Sequence, residues 1–343
     1  MRSNAILVMG MLVLFTAGCA TEHVDEAPWI HARPSLVWPK PPATPRIAYV
    51  ESVSGPRDLG VTKPLLQRVM ESFTGVTDEH LIRPTGVAVR AGTLYVADPG
   101  AQALWIFDLS GRHYVKVHRM GKVMLISPVA VAARPDGAVF VVDSLLKKIF
   151  LVDRAGKLLQ TITDDTLVRP ASLAYDATTS RLYVADSNAH RIVLFAADGT
   201  RLRTLGKRGS DDGEFNFPTH LSVDKSGTLF VTDALNYRIQ AFDRDGKFLW
   251  KFGHPGDTSG TLAAPKGITT DSDGNVYVVD ALFDTVQIFD RKGTFLLAFG
   301  ERGTGPGQFS IPGGIFISPE DRIYVADAYN QRVQVFEFVG EHY

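Results

Sequence analysis

Residues 218–253 read PTHLSVDKSGTLFVTDALNYRIQAFDRDGKFLWKFG. A proline opens a short apolar run, LSV, and Ser226-Gly227 turns the chain. A second run, LFVTD, ends in aspartate; a loop leads to a third, RIQAF; Gly246 turns the chain again into a fourth, FLWKF. Short runs rich in β-branched and aromatic residues between turn residues are strands. They are apolar on both faces, so a sheet built from them needs cover on two sides.

The same unit recurs outward from this stretch, about every 42 to 48 residues, the period expected of propeller blades. The opening prolines are Pro84, Pro128, Pro170, Pro218, Pro265 and Pro312. The second strands end at Asp98, Asp143, Asp186, Asp233, Asp280 and Asp327. Radial stacking of small sheets covers every face except the rims. The pattern therefore predicts an all-β, six-bladed β-propeller over residues 46–343, with the repeats in 81–343. Two connectors, GKRGSDDGEFNFP and GERGTGPGQFSIP, carry glycines suited to the return from an outer strand to the axis.

The sixth copy has three strands before the end at Tyr343, while RIAYVESVS at 46–54 is an orphan strand. We expect 46–54 to supply the outer strand of the last blade, leaving no open edge at the closure. Between it and the repeats, 55–80 forms an insert. Leu65, Leu66, Val69, Met70 and Phe73 stand at helical spacing behind Pro64, which predicts a short helix. It either packs on the propeller rim or plugs one end of the channel.

These six copies closely resemble NHL repeats over about residues 81–338. Blades 1 and 2 diverge most, lacking the asparagine and arginine of later copies. Arginine follows three of the aspartates by five residues, at Arg191, Arg238 and Arg332. A carboxylate and a guanidinium recurring at one position suit hydrogen-bonded pairing that locks a turn or joins blades. A ring of catalytic carboxylates is the sharper and weaker reading, because every blade carries the aspartate.

The first residues carry one charge, Arg2, then the apolar run AILVMGMLVLF at 5–15, then TAGC ending at Cys19. This is an export signal, too short to span a bilayer comfortably. TAGC resembles a bacterial lipoprotein box, with Thr16 where leucine is usual. The resemblance implies a signal peptide at 1–18, lipidation of Cys19, and, from Ala20, sorting to the outer membrane. A plain signal peptide with an incidental cysteine, or an uncleaved anchor, is the alternative. Residues 19–45 carry Pro28, Pro34, Pro39, Pro41, Pro42 and Pro45. We expect a tether there that builds no sheet, on the order of 80 Å long if extended as polyproline II.

Composition narrows the function. The net charge is −1 and Lys and Arg are scattered, so the basic stripe of a nucleic-acid binder is missing. One cysteine excludes an internal disulfide framework and a zinc site built on several thiolates. Enzymatic propellers resembling peptidyl-amidating lyases need several histidines at the channel mouth. Here the residues after each blade proline give Thr85, Ser172, His220 and Lys266, with a single histidine among them. Nor do they offer the carboxylate and amide cage of gluconolactonase-type propellers. No cofactor is expected, although a divalent ion in the channel is conceivable.

The loops after the second strands supply a candidate binding face: Leu145, Leu146, Asn188, His190, Leu235, Asn236, Tyr237, Leu282, Phe283, Tyr329 and Asn330. If these loops share one face, their apolar members form an interaction rim; if not, they wedge between blades. The leading expectation is a monomeric, non-catalytic binding or scaffolding protein recognising another envelope protein, a peptide or a glycan. A metal-dependent lyase or lactonase at the channel mouth is the alternative. Likeness to animal NHL proteins that bind RNA or belong to ubiquitin ligases transfers poorly, since fold alone does not carry function.

Overall fold

The computed structural model describes residues 36–60, 79–110 and 113–340. Cys19, the export segment and the expected helix at Lys63–Phe73 lie outside the described residues. Within them the chain is all-β, and the helical elements described are two three-residue 3₁₀ turns, Ser187–Ala189 and Ala234–Asn236.

Each repeat folds into an antiparallel sheet in chain order from the axis outward. Blade 4, the stretch quoted first, runs Pro218–Val223, Leu229–Asp233, Arg238–Phe242 and Phe248–Phe252. The inner strands of the other blades begin at Gly86, Pro128, Pro170, Pro265 and Ile315. Each inner strand packs on the next, and that of blade 6 packs on that of blade 1, so the ring closes. Six apolar clusters fill the gaps between adjacent blades. The cover that two-sided apolar strands require is thus the neighbouring blade.

Closure follows the expectation. Ile47–Val53 pairs antiparallel with Arg332–Phe338, from Ile47 opposite Phe338 to Val53 opposite Val333. One boundary needs correction: the tether does build sheet at its end. Val37–Trp38 pairs with Ala48 and Ile47, giving blade 6 a fifth strand. The prolines flank this two-residue edge strand rather than interrupt it, which is where a sheet tolerates proline. The Trp38 ring adds apolar contact, lying 6.0 Å from the ring of Phe299 and 5.8 Å from that of Phe336.

The topology gives the disc two unlike faces. Blade connectors and the loops between second and third strands share one face, here the connector face. Both sets of hairpin turns occupy the other.

At the connector end, hydrogen bonds stitch the inner strands together. Thr85 Oγ1 donates to Val129 O (2.8 Å), and Ser172 Oγ accepts from Leu221 N (3.3 Å). Gly267 N donates to Gly313 O (3.1 Å) and Gly314 N to Thr85 O (2.9 Å), and Thr232 Oγ1, on the second strand of blade 4, adds a bond to Lys266 O of the next inner strand (2.8 Å). Glycine is required at these crossings: a Cβ on Gly267 would stand 2.6 Å from Gly313 O, and one on Gly314 2.5 Å from Thr85 O.

Candidate functional site

The six repeated aspartates are fully buried. In every blade the carboxylate gathers backbone N–H groups just before the opening proline. Asp98 accepts from Ile82 and Arg83, Asp143 from Ile126 and Ser127, Asp186 from Val168 and Arg169. Asp233 accepts from Asn216, Asp280 from Ala263 and Ala264, and Asp327 from Ser310. The second strand's end is thereby tied to the start of its own blade.

Three blades add a cation. Arg191 Nη2 reaches Asp186 Oδ2 at 3.0 Å, Arg238 Nε reaches Asp233 Oδ2 at 2.7 Å, and Arg332 Nε reaches Asp327 Oδ2 at 2.9 Å. Each guanidinium also donates to connector carbonyls: Arg191 to Thr166, Arg238 to Ser210, Asp211 and Glu214, Arg332 to Gly305 and Gln308. Blades without the arginine use loop N–H donors instead: Ala101 in blade 1, Leu145 and Leu146 in blade 2, Leu282 and Phe283 in blade 5. With their lone pairs taken up in this way, the carboxylates brace the blade.

The loops following these aspartates lie together on the connector face, and their side chains divide sharply. Leu145, Leu235, Leu282 and Tyr329 are 61%, 50%, 63% and 60% exposed. All four occupy the second position after the aspartate, where blades 1 and 3 carry Gly100 and the exposed Asn188. The rest of the candidate face turns inward to different degrees. His190 is a correction: it is buried, its Nδ1 accepts the Phe217 N–H at 3.2 Å, and its ring stands edge-on to Phe217. Asn236 donates to Gly209 O and Asp233, and Asn330 to Gly303 O and Asp327, which makes both loop braces. Leu146 and Tyr237 are half-buried against interblade clusters, and Phe283 is half-buried.

Asp284 escaped the sequence reading. It holds a left-handed conformation (φ 54°), as His190 does in blade 3. Its buried carboxylate accepts Ile311 N and pairs with Arg302 at 3.0 Å. In both blades this loop residue ties down a connector 27 positions later. The shared signal is a polar side chain four residues after the aspartate, hidden because the two residue types differ.

Thr85, Ser172, His220 and Lys266 gather at the connector end of the axis. Ser172 is buried, and Thr85, His220 and Lys266 are half-buried. Burial, with a smaller contribution from the Lys266 charge, pushes His220 down to about 3, so the imidazole is neutral at ordinary pH. Burial also pulls the Lys266 ammonium below the usual lysine range. Among the described residues no group of three His, Cys, Asp or Glu side chains is placed to hold a metal ion.

A cavity of about 340 Å³ lies on the axis toward the opposite, hairpin face. All six blades line it, with Val89, Val131, Leu221 and Ile317 in its walls and Asp176, Asp271 and Asp321 around its rim. Two of these carboxylates serve their own turns, Asp271 accepting from Asn275 and Asp176 from Thr178 and Thr179, while Asp321 of blade 6 accepts from Ser272 in the turn of blade 5. Burial raises Asp271 above the usual carboxylate range against the pull of Asn275. The four residues singled out at the channel mouth do not line this cavity. They form the ring of strand starts at its other end, because side chains beside the prolines sit where the inner strands converge.

No curated protein matches the chain. Solved structures do. The Streptogramin B lyase structure is 14% identical at a TM-score of 0.59, covering 75% of this chain and 94% of that one. A catalytically inactive virginiamycin B lyase from Staphylococcus aureus, solved with quinupristin, is 16% identical at 0.57, over 75% and 95%. The nidogen/laminin complex contributes a chain 21% identical at 0.52, over 64% and 82%. At these identities the likeness is one of fold, shared by lyases and by a component of a protein complex. A family model described as "6-bladed beta-propeller" (DUF5128) matches residues 158–267 and 267–343, more than half the sequence. The chain belongs to this six-bladed β-propeller family.

Proposed function

We propose that this protein is a binding or scaffolding module of the bacterial envelope, docking a protein partner on its connector face. One observation carries the reading: Leu145, Leu235, Leu282 and Tyr329 stand half or more exposed at one repeat position in four blades. A single exposed leucine is ordinary. Large apolar side chains at the same loop position, on one face of a hydrogen-bonded ring, make a repeated patch that water solvates poorly. Tyrosine and leucine so placed suit the apolar centre of a protein interface, with polar loop residues such as Asn188 as rim. The resemblance to NHL repeats supports the same reading.

In this account the protein is exported, lipid-anchored at Cys19 and sorted to the outer membrane. Residues 19–35 space a monomeric propeller from the bilayer, and no cofactor takes part. The test is photo-crosslinking in intact envelopes. A photoreactive residue replaces Leu145, Leu282 or Tyr329, or, as perimeter controls, Leu159 or Leu249 on outer strands, which are also exposed. The face positions should trap one common species that the perimeter positions do not. Equal trapping at both sets would refute the docking face. Stoichiometric zinc or calcium that is lost on His220→Ala would instead favour a metal-dependent lyase or lactonase.

A further inference from the structure

The two halves of the connector face carry different charge. Blades 1 and 2 lack the asparagine and arginine that brace loops in later blades, and the same region presents free cations. Arg83, Arg119, Lys122, Lys147 and Arg169 are all exposed. The ring gathers what the sequence scatters. Arg83, Arg119, Lys122 and Arg169 lie in the connectors into blades 1, 2 and 3, and Lys147 lies in the loop of blade 2. Among the described residues none of these five makes an ion pair. Glu79 accepts the Tyr114 hydroxyl at 2.7 Å and Asp164 pairs with Arg201 at 3.4 Å, which leaves the exposed Asp165 to oppose them. Across the ring the sign changes. Asp211, Asp257 and Glu301 are exposed in the connectors into blades 4, 5 and 6. Of the cations there, Lys207 pairs with Glu214 and Arg302 with Asp284, leaving Arg208.

The cationic half also carries apolar side chains. Ile82, Ile126 and Val168 stand exposed two residues before the opening prolines, where blades 4, 5 and 6 have Asn216, Ala263 and Ser310. Hydrogen bonds hold them beside the loops. Asp143 accepts Ile126 N at 2.7 Å and Leu145 N at 3.1 Å, which sets connector and loop next to each other. In blade 1 the second loop position is Gly100. A Cβ on it would stand 2.8 Å from Ile82 Cγ2 and 2.9 Å from Arg83 Cβ. Ile82 and Arg83 thus occupy the place that Leu145 takes in blade 2. Between these blades the hairpin of Arg119–Met120 and Val123–Met124 exposes Met124, whose sulfur accepts Arg119 Nε at 3.2 Å.

We infer that the divergent half of the connector face, over blades 1 and 2 and the connector into blade 3, selects the partner, which meets it with an acidic protein surface. This rests on the docking reading and adds where the partner sits and what charge it carries. Leu145, Ile126 and Ile82 supply apolar contact, and the five cations supply complementarity that steers encounter and rejects basic surfaces. The aliphatic stems of the lysines and arginines extend the apolar area without burying their charged ends. An anionic bilayer would present one sign of charge to the whole disc and so also oppose Asp211, Asp257 and Glu301. A bounded acidic surface avoids that repulsion.

The test adds charge changes to the crosslinking of the full-length protein, using isolated envelopes and a photoreactive residue at Leu282, away from the cations. Arg83→Glu, Lys122→Glu, Lys147→Glu and Arg169→Glu together should lower trapping of the common species by roughly tenfold or more. The four corresponding changes to glutamine should lower it less, and Asp211→Lys, Asp257→Lys and Glu301→Lys together should not lower it. With the wild-type charges, raising NaCl from about 0.05 to about 0.5 M, which shortens the screening length from about 14 to about 4 Å, should also reduce trapping. Moved to Leu145, the photoreactive residue should label a peptide rich in Asp and Glu. Undiminished trapping in a glutamate variant that melts like wild type, or in high salt, would overturn this inference and leave the docking face standing. A phospholipid adduct at Leu145 in place of a peptide would overturn it in favour of the membrane. The absence of any common species with the wild-type charges would remove the docking face and this inference together.

Discussion

Replacing Arg238 by alanine isolates what the repeated aspartates do. Arg238 is 6% exposed and its partner Asp233 fully buried. The substitution removes the Nε contact at 2.7 Å and the donors to Ser210 O, Asp211 O and Glu214 O. Breaking a buried pair by deleting one member costs about 3–5 kcal/mol, because the remaining charge is stranded. Here the loss is moderated. Asp233 keeps Asn216 N, Asn236 Nδ2 and Gln240 Nε2 as donors, and Ser210 and Asp211 lie in an exposed loop that water reaches. We therefore expect about 3 kcal/mol, or a fall in Tm of roughly 6–12 °C. Arg191→Ala provides the graded comparison. Its side chain is 21% exposed, and solvent screening should hold its cost to about 1 kcal/mol. Urea unfolding with the m-value monitored is the assay. Equal costs for the two substitutions, or a cost below about 1 kcal/mol for Arg238→Ala at unchanged m, would refute the reasoning that burial makes these carboxylates structural.

Other outcomes follow from the same geometry. His220 should stay neutral until about pH 3, whereas unfolding restores the ordinary value of 6.5. The unfolded chain then binds the extra proton, so stability should fall as pH drops below 6.5, by at most about 1.4 kcal/mol per pH unit from this group. That slope should shrink in His220→Gln between pH 6.5 and about 4.5, above the range where most carboxylates titrate; an unaltered slope would contradict it. Trp38→Ala should cost about 2 kcal/mol through lost contact with Phe299 and Phe336, with faster hydrogen exchange in Ile47–Val53; an unchanged melt would show that the fifth strand contributes nothing. Gly267→Val should destabilise by about 2–3 kcal/mol, since its Cβ meets Gly313 O and the Ile315 backbone N rather than yielding side chains. A neutral thermal melt would mean that the inner strands separate more easily than their hydrogen bonds imply.

The blade order and closure were legible because they rest on strong periodic signals. Six prolines mark the inner strands, six aspartates end the second strands, and one orphan strand waits for the three-stranded last blade. Val37–Trp38 was not legible: two residues among prolines carry no periodicity, and their pairing depends on a strand whose own partner comes nearly three hundred residues later. The connector of blade 5 was missed for a similar reason. Leu262 there fills the buried place taken by Phe215 and Phe309 in the two recognised connectors, but the residue type differs. At the candidate site the sequence marked the loops that follow the second strands. It could not separate the outward Leu145, Leu235, Leu282 and Tyr329 from the inward His190. Each loop holds a left-handed residue four positions after its aspartate, at Gln102, Lys147, His190, Tyr237, Asp284 and Gln331, a conformation that no single side chain announces.

The docking face can be tested most directly on the partner trapped by crosslinking. Its affinity should be measured for wild type and for a protein carrying Leu145→Ser, Leu235→Ser, Leu282→Ser and Tyr329→Ser together. The account predicts a loss of roughly 100-fold or more, as for removal of interface hot spots, with Tm unchanged because these side chains project into solvent. An affinity retained within about twofold, in a variant that melts like wild type, would contradict it.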